Sequence, residues 1–421
     1  MTMRLSWRLA CALFFLLPAP HVAAAQRDAW IATWATSPER ADPGPGTLFQ
    51  NLEDQTVRER VRLSIGGDRI RIRLSNEFGS SPLLLGSATA AVALPGDAAS
   101  VRPGSVRTLT FGGHRSVTIP AGAPMLSDPL PFPAAYGTEI SISLYFPQRV
   151  GSLTWHQLAL RRAVVSPPGD HTGDQTIKRG AESPQSLFLT GVLVPAKPGQ
   201  HLIVAFGDSI VDGDGSTLDA DAAWPSALVR RLGKTTGGSK WAVVNEGIAG
   251  NRLLRDGPLA ILGVGALARF DRDVLAQPGL THIVLLEGIN DVGFPGAKLG
   301  DFLLADPADA RTAEDLIDAY RQLIARAHAR GVRLIGATLT PCEGVAFPGY
   351  YSEAKEATRH AVNKWIRTSG AFDGVIDFDA VLRDPDHPAR MLPRFASLDR
   401  LHPNDTGYQA MANAIDLALF R

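Results

Sequence analysis

The chain has 421 residues, 45% of them hydrophobic, and its 42 lysines and arginines balance 42 aspartates and glutamates. That length suits two globular domains and supplies enough apolar sequence for a sizeable core. Zero net charge argues against a broad nucleic-acid footprint or a polybasic membrane patch.

Residues 1–25 read as a secretory signal peptide rather than as part of the fold. Arg4 and Arg8 give a basic start, Leu9 to Leu17 an apolar centre, and Ala23-Ala24-Ala25 a small-residue cleavage site before Gln26. The apolar centre is too short to span a bilayer comfortably. Cys11 lies inside this segment, so the mature chain keeps only Cys342 and forms no intramolecular disulfide. Export without disulfides is the habit of bacterial periplasmic or secreted proteins rather than of small stapled domains. No other stretch is long and apolar enough to insert stably in a membrane, so the expected location is the periplasm or the medium.

Residues 26–193 are mostly strand-like. Thr56 to Ile65, Arg69 to Ser75, Val106 to Phe111, Ser116 to Ile119 and Glu139 to Phe146 are short, alternating or β-branched-rich runs separated by Gly, Pro, Asn and Asp. In Arg69-Ile70-Arg71-Ile72-Arg73-Leu74 one face is aliphatic and the other carries three arginines, the pattern of a strand with a solvated outer face. This part reads as an all-β, sandwich-like domain. Residues 194–200 look like a linker, with two prolines, a glycine and no periodicity.

Residues 201–421 alternate strands with helices. Leu202 to Phe206 is a continuous apolar run, the pattern of a strand buried on both faces. Further strands are expected at Trp241 to Asn245, Thr281 to Leu286, Arg333 to Leu339 and Val375 to Phe378. Helices are expected near Ala222 to Leu232, Ala266 to Leu275, Ala313 to Arg330, Glu353 to Thr368 and Asp405 to Leu419. Five strands each followed by a helix imply an α/β fold: a parallel sheet with helices on both sides, all strand ends facing one rim.

Four stretches on that rim carry candidate chemistry. The first strand ends at Gly207-Asp208-Ser209-Ile210, the second at Asn245 to Asn251 with Gly247 and Gly250, and the third at Gly288-Ile289-Asn290-Asp291. Near the C-terminus stands Asp399-Arg400-Leu401-His402. A serine hydroxyl needs a base, and the base needs a partner that fixes its tautomer. An aspartate three residues before a histidine can fold back to accept its Nδ1 proton, leaving Nε2 for the serine. Each stretch taken alone is ordinary turn or cap chemistry. Their joint placement on one rim points to a serine nucleophile. Asp212-Gly213-Asp214-Gly215-Ser216 resembles the start of a calcium loop, but its glycines are misplaced and Ala223 stands where a ligating glutamate belongs. No histidine spacing suits zinc, and His156, His171, His282 and His360 read as structural. Among 42 acidic residues, no carboxylate pair stands out for glycoside hydrolysis.

These blocks resemble the GDSL, or SGNH, hydrolase family of serine esterases, with Ile210 in place of the usual leucine. The similarity runs from Leu202 to the C-terminus. Trp30-Ile31-Ala32-Thr33-Trp34 and Leu74-Ser75-Asn76-Glu77-Phe78-Gly79 are similar to the β domain preceding the hydrolase in an exported, arylesterase-like branch. The resemblance implies a three-layer, flavodoxin-like domain with a five-stranded parallel sheet. It assigns Ser209 as nucleophile, His402 as base and then acid, and Asp399 as the orienting carboxylate. The implied oxyanion hole combines the N–H groups of Ser209 and Gly250 with the Asn290 amide. Val211 occupies the position of the last glycine in the common nucleophile elbow, so that tight turn is absent.

The implied activity is hydrolysis of short-chain or aryl acyl esters, including acyl groups on carbohydrates, with no cofactor and no metal. Trp224, Phe294, Phe347, Tyr350 and Tyr351 are candidates to line the acyl or aryl pocket, or else to cover the core. Two other readings stay open: an acyltransferase passing the acyl group to a sugar hydroxyl, and a non-catalytic carbohydrate-binding protein on the same scaffold. The expected partner is a small-molecule or carbohydrate ester.

Overall fold

In the computed structural model, residues 29–41 and 52–421 are described. The signal-peptide reading and Cys11 fall outside them.

The N-terminal part is all β. One antiparallel sheet runs Trp30–Ala35, Leu189–Pro195, Gly67–Asn76, Ala123–Leu126, with Leu130–Ala134 also pairing to Gly67–Asn76. A second contains Ala163–Pro168, Gln55–Arg62, Glu139–Phe146 and Ser87–Leu94 in that order, with shorter strands at its margins. Alternation explains the Gly67–Asn76 strand: Ile70, Ile72 and Leu74 are buried while Arg69, Arg71 and Arg73 lie on the other face. That face is not simply solvated. The guanidinium groups of Arg69 and Arg71 lie over the Trp30 ring, Arg71 donates to Ser127 O, and Arg73 to Thr190 Oγ1.

The expected linker is shorter than its composition suggests. The Leu189–Pro195 strand continues through Val194 and Pro195, which pair with Ile31 and Trp30. Pro195 is tolerated because it closes the strand, where its missing N–H removes no needed bond. Only 196–200 lie outside strands.

Beyond it, five strands form a parallel sheet: β1 (His201–Gly207), β2 (Trp241–Gly247), β3 (Leu280–Leu286), β4 (Arg333–Ala337) and β5 (Gly374–Ile376), in the order β2-β1-β3-β4-β5. That is the flavodoxin-like order. Leu202 to Phe206 of β1 are fully buried, as an apolar run between two helical layers requires. The helices are α1 (Ser209–Asp212), α2 (Trp224–Gly233), α3 (Ala266–Phe270), α4 (Ile289–Gly293), α5 (Ala313–His328), α6 (Glu353–Thr368), α7 (Phe378–Leu382) and α8 (Asp405–Ala414). α2, α7 and α8 pack on one another, and α3, α5 and α6 form a second group. Local chemistry sets their starts: Thr312 and Asp315 make a capping box on α5, Ser352 caps α6 and Asn404 caps α8. α8 ends five residues before the expected Leu419, because Asp416 caps a separate turn at Leu417–Phe420.

The two parts share one continuous apolar core. The Trp30–Ala35 strand lies along β2, Ala32 N–H donates to Pro278 O (3.0 Å), and Val243 N–H to Ser64 Oγ (3.2 Å).

Candidate active site

The sheet register brings three strand ends level: Gly207 of β1 pairs with Gly247 of β2 and Leu286 of β3. A Cβ on Gly207 would sit 1.8 Å from Leu286 O, so only glycine lets the chain leave the sheet here. Asp208 then caps α1, its Oδ1 accepting from Ile210 N–H at 2.9 Å. Ser209 thus stands at the first position of a one-turn helix, above the end of β1.

The Asp399–His402 segment folds back through Arg400, which adopts a left-handed φ of 61°. Asp399 Oδ1 accepts from Ser397 Oγ (2.7 Å), Leu401 N–H (2.9 Å) and His402 N–H (3.0 Å). Its Oδ2 is left for His402 Nδ1, at 2.6 Å, and His402 Nε2 meets Ser209 Oγ at 2.8 Å. Burial works against the Asp399 charge, but these hydrogen bonds and the imidazole hold its pKa far below the usual carboxylate range. Burial likewise disfavours a charged His402. The Asp399 hydrogen bond and the charges of Asp214, Asp399 and Asp208 outweigh it and raise the histidine pKa. Asp214 Oδ2 lies 3.7 Å from His402 Nε2, the nitrogen that faces the serine.

Asn290, in α4, is buried and locked at both ends of its amide. Tyr350 O–H donates to Oδ1 and Nδ2 donates to Asn251 O, each at 2.8 Å. The two bonds fix which atom is nitrogen and leave one N–H unused. Gly250 takes a left-handed φ of 71°. Among the described residues, the N–H groups of Ser209 and Gly250 are not spent on the backbone bonds that fold their loops. Asp291 receives Leu253 N–H (2.6 Å) and Leu254 N–H (3.0 Å), tying the Gly250 loop to α4. Burial raises its pKa to about 6, opposed by those donors. The same cause raises Asp208 to about 7.

Sequence reasoning missed what lies beneath. The Arg269 guanidinium is fully buried and donates to Gly207 O (2.8 Å), Glu246 O (2.9 Å) and Asn251 Oδ1 (2.9 Å). One side chain therefore gathers the ends of β1 and β2 and the loop that receives the Asn290 amide. Its signal was an arginine and an aspartate four residues apart, Arg269 and Asp273, among Ala266, Phe270 and Val274 on one helical face; the two pair at 3.2 Å. Three of the proposed pocket residues, Trp224, Tyr350 and Phe294, need correction. Trp224 is fully buried against Phe378, because it opens α2 facing the core. Tyr350 is also fully buried and serves the Asn290 amide instead. Phe294 packs edge-on against Tyr350 and is buried, whereas Phe347 and Tyr351 are partly exposed. Ala346 N–H donates to the main-chain O of Asp399 at 2.9 Å, which sets the Phe347 segment beside the Asp399 loop. Asp212 and Asp214, read as the start of a calcium-loop pattern, face His156 and His402. Among the described residues no group of three or more metal-ligating side chains occurs.

Residues 205–410 match the model of the GDSL-like lipase/acylhydrolase family. The match covers 206 of the 421 residues and spans all five strands of the parallel sheet but the first few residues of β1. The GDSL-like domain is similar in fold to several solved structures. They include a carbohydrate acetylesterase family member from Sinorhizobium meliloti, 18% identical over 51% of this chain and 95% of that one, with a TM-score of 0.39. An inhibitor-bound aryl esterase from M. smegmatis is 14% identical over 51% and 95%, with a TM-score of 0.39. A GDSL-like lipase from Bacteroides thetaiotaomicron is 16% identical over 54% and 90%, with a TM-score of 0.37. No curated protein matches the chain.

Proposed function

We propose that the protein is an exported serine ester hydrolase acting through an acyl-serine intermediate on Ser209. The observation that carries this reading is the unbroken line from Ser209 Oγ through His402 to Asp399, at 2.8 and 2.6 Å. A hydroxyl, an imidazole and a half-buried carboxylate so aligned can move the serine proton as the oxygen attacks.

In this reading Ser209 Oγ attacks the acyl carbon while His402 Nε2 takes its proton. The oxyanion rests on the N–H groups of Ser209 and Gly250 and on the free N–H of Asn290. Collapse expels the alcohol, which leaves with the proton from His402. Water, deprotonated by the same nitrogen, then attacks the acyl-serine; collapse breaks the acyl carbon–Oγ bond, releasing the acid as His402 returns the proton to Ser209 Oγ. Asp399 keeps its negative charge throughout and stabilises the imidazolium. The chemistry asks nothing of a cofactor.

We assign the substrates as short-chain or aryl acyl esters, including acyl groups on carbohydrates. The partly exposed Phe347 and Tyr351 beside the Asp399 loop are the remaining candidates for acyl or aryl contact. The N-terminal signal pattern supports export. No described helix is long and apolar enough to cross a membrane. We also assign residues 26–193 to a β domain of its own and 201–421 to the hydrolase.

The test is labelling by a fluorophosphonate probe, with Ser209→Ala as the control, followed by a panel of p-nitrophenyl esters of graded length beside acetylated xylan and feruloyl sugars. Labelling that persists in Ser209→Ala, or full esterase activity in that variant, overturns the reading. Transfer of the acyl group to an added sugar in place of free acid would make the protein an acyltransferase.

A further inference from the structure

His156 lies on the short strand Thr154–His156 of the N-terminal β part, outside the residues that match the family model, yet its ring is buried against α1. Its Nε2 meets Asp212 Oδ1 at 3.0 Å, and its Nδ1 meets Ser37 O at 3.0 Å. A carbonyl only accepts, so Nδ1 carries a proton. An ionised Asp212 also only accepts, so beside it Nε2 carries one too and the ring is an imidazolium; burial raises the Asp212 pKa, and the His156 charge and hydrogen bond oppose that rise. Burial lowers the His156 pKa, but the Asp212 charge and hydrogen bond, the Glu39 charge and the Ser37 carbonyl raise it to about 10.

Asp212 is the last residue of α1, and Ser209 is the first. A single helical turn has little cohesion of its own, so what grips its two ends sets where it lies. Asp208 caps the start. At the finish the Asp212 side chain is held by His156, and its Oδ2 has no hydrogen-bond partner among the described residues. A cavity of about 130 Å³, lined by Trp34, His156, Leu158, Asp212 and Asn245 among others, adjoins the pair. The β part reaches the site floor at a second point. Ser37 Oγ donates to Glu246 Oε2 (2.6 Å) and accepts from Arg269 (2.9 Å), the guanidinium that holds Gly207 O.

We propose that His156 of the N-terminal β part is a positioning residue for Ser209, holding α1 in register with His402 through its buried ion pair with Asp212. The inference rests on the serine-hydrolase reading above. In this arrangement the β part is a structural piece of the active site, and the GDSL-like domain is incomplete without it. Removing the imidazolium leaves a buried carboxylate beside a cavity, with nothing to neutralise it. α1 then relaxes toward the cavity or toward water, carrying Ser209 with it. Displacements near 1 Å in a catalytic group cost up to about a hundredfold in rate.

The experiment compares His156→Gln, Asp212→Asn and the double variant in the mature full-length protein, at a temperature well below each melting point. The readouts are kcat and KM for p-nitrophenyl acetate and the second-order rate of fluorophosphonate labelling. Both single variants should lose between about tenfold and a hundredfold in kcat and in labelling, with KM within about twofold. The double variant should lose no more than the worse single, because both changes cut one link. Wild-type kcat in a folded His156→Gln or Asp212→Asn, with only the melting point lowered, overturns the proposal. So do losses that multiply in the double. Asp212→Asn alone decides the matter should His156→Gln not fold. Ser209→Ala separates the two readings: if it stays active the hydrolase assignment falls, whereas if it is dead and His156→Gln is unimpaired only the present inference falls.

Discussion

Asp214 offers the sharpest test of how the base is tuned. Its carboxylate stands 3.7 Å from His402 Nε2, with its side chain 41% exposed. The other carboxylates acting on that ring are Asp399, hydrogen-bonded to Nδ1, and buried Asp208. Two unit charges at this separation interact by about 1 kcal/mol in water-like surroundings and about 4 kcal/mol at an effective dielectric of 20. The exposure of Asp214 puts the pair near the lower figure. About 1 kcal/mol corresponds to roughly 0.7 of a pKa unit. The sign follows from charge: the carboxylate favours the imidazolium, so Asp214→Asn lowers the His402 pKa. The neutral ring, which is the form that accepts the serine proton, then appears at lower pH. The acid limb of kcat/KM should therefore move down by about 0.5 to 1 unit at low salt, and by less at about 0.5 M salt, where the Debye length is only a few ångströms. The assay is chromatographic measurement of acid released from an uncharged acetyl ester across about pH 4 to 9. An unmoved or upward-shifted limb at low salt would refute the reasoning. A flat profile in the parent protein would remove the histidine base altogether.

Other expectations follow from the same geometry. Ser209→Ala and His402→Ala should each abolish nearly all turnover, and the double should be little worse than either, as measured by kcat/KM. Asn290→Ala should lose about a hundred- to a thousandfold in kcat. Tyr350→Phe, which frees the amide to turn without removing it, should lose less, and equal losses in the two would show that Tyr350 does more than hold Asn290. In the β part, Glu59 is fully buried and accepts from Ser186 Oγ (2.6 Å) and Leu187 N–H (2.8 Å), yet burial raises its pKa to about 8. Its folded form therefore keeps a proton that the unfolded chain releases near the ordinary pKa of about 4.3. Stability should fall as pH rises between those values. Glu59→Gln should flatten that fall in thermal melts, since Ser186 O–H can turn to Leu189 O and accept from the new amide. An unchanged slope would reject the assignment.

The rim was legible because each of its parts is local. A continuous apolar run ending in Gly207 marks a buried strand with an abrupt exit, and the register brings Gly247 and Leu286 level with it. Asp399 and His402 are three residues apart, so their contact is a property of one turn. Contacts made across the chain left no such trace. Asp212 was read within its own glycine-rich loop, and nothing near His156 in sequence names a partner 56 residues away. Tyr350 failed as a pocket residue for the same reason: an aromatic beside a loop suits a ligand wall or a core equally well, and what decides is an amide 60 residues distant. Trp224 failed differently, because the start of an amphipathic helix carries no mark of which side its first residue takes. The parts that could be read from sequence are the proposed reacting groups. The parts that could not are the side chains packed behind them, and these come from both halves of the chain. Ser37 and His156 reach the floor and the helix on which Ser209 stands. A reading confined to residues 205–410 would therefore describe a complete set of reacting groups on an incomplete support.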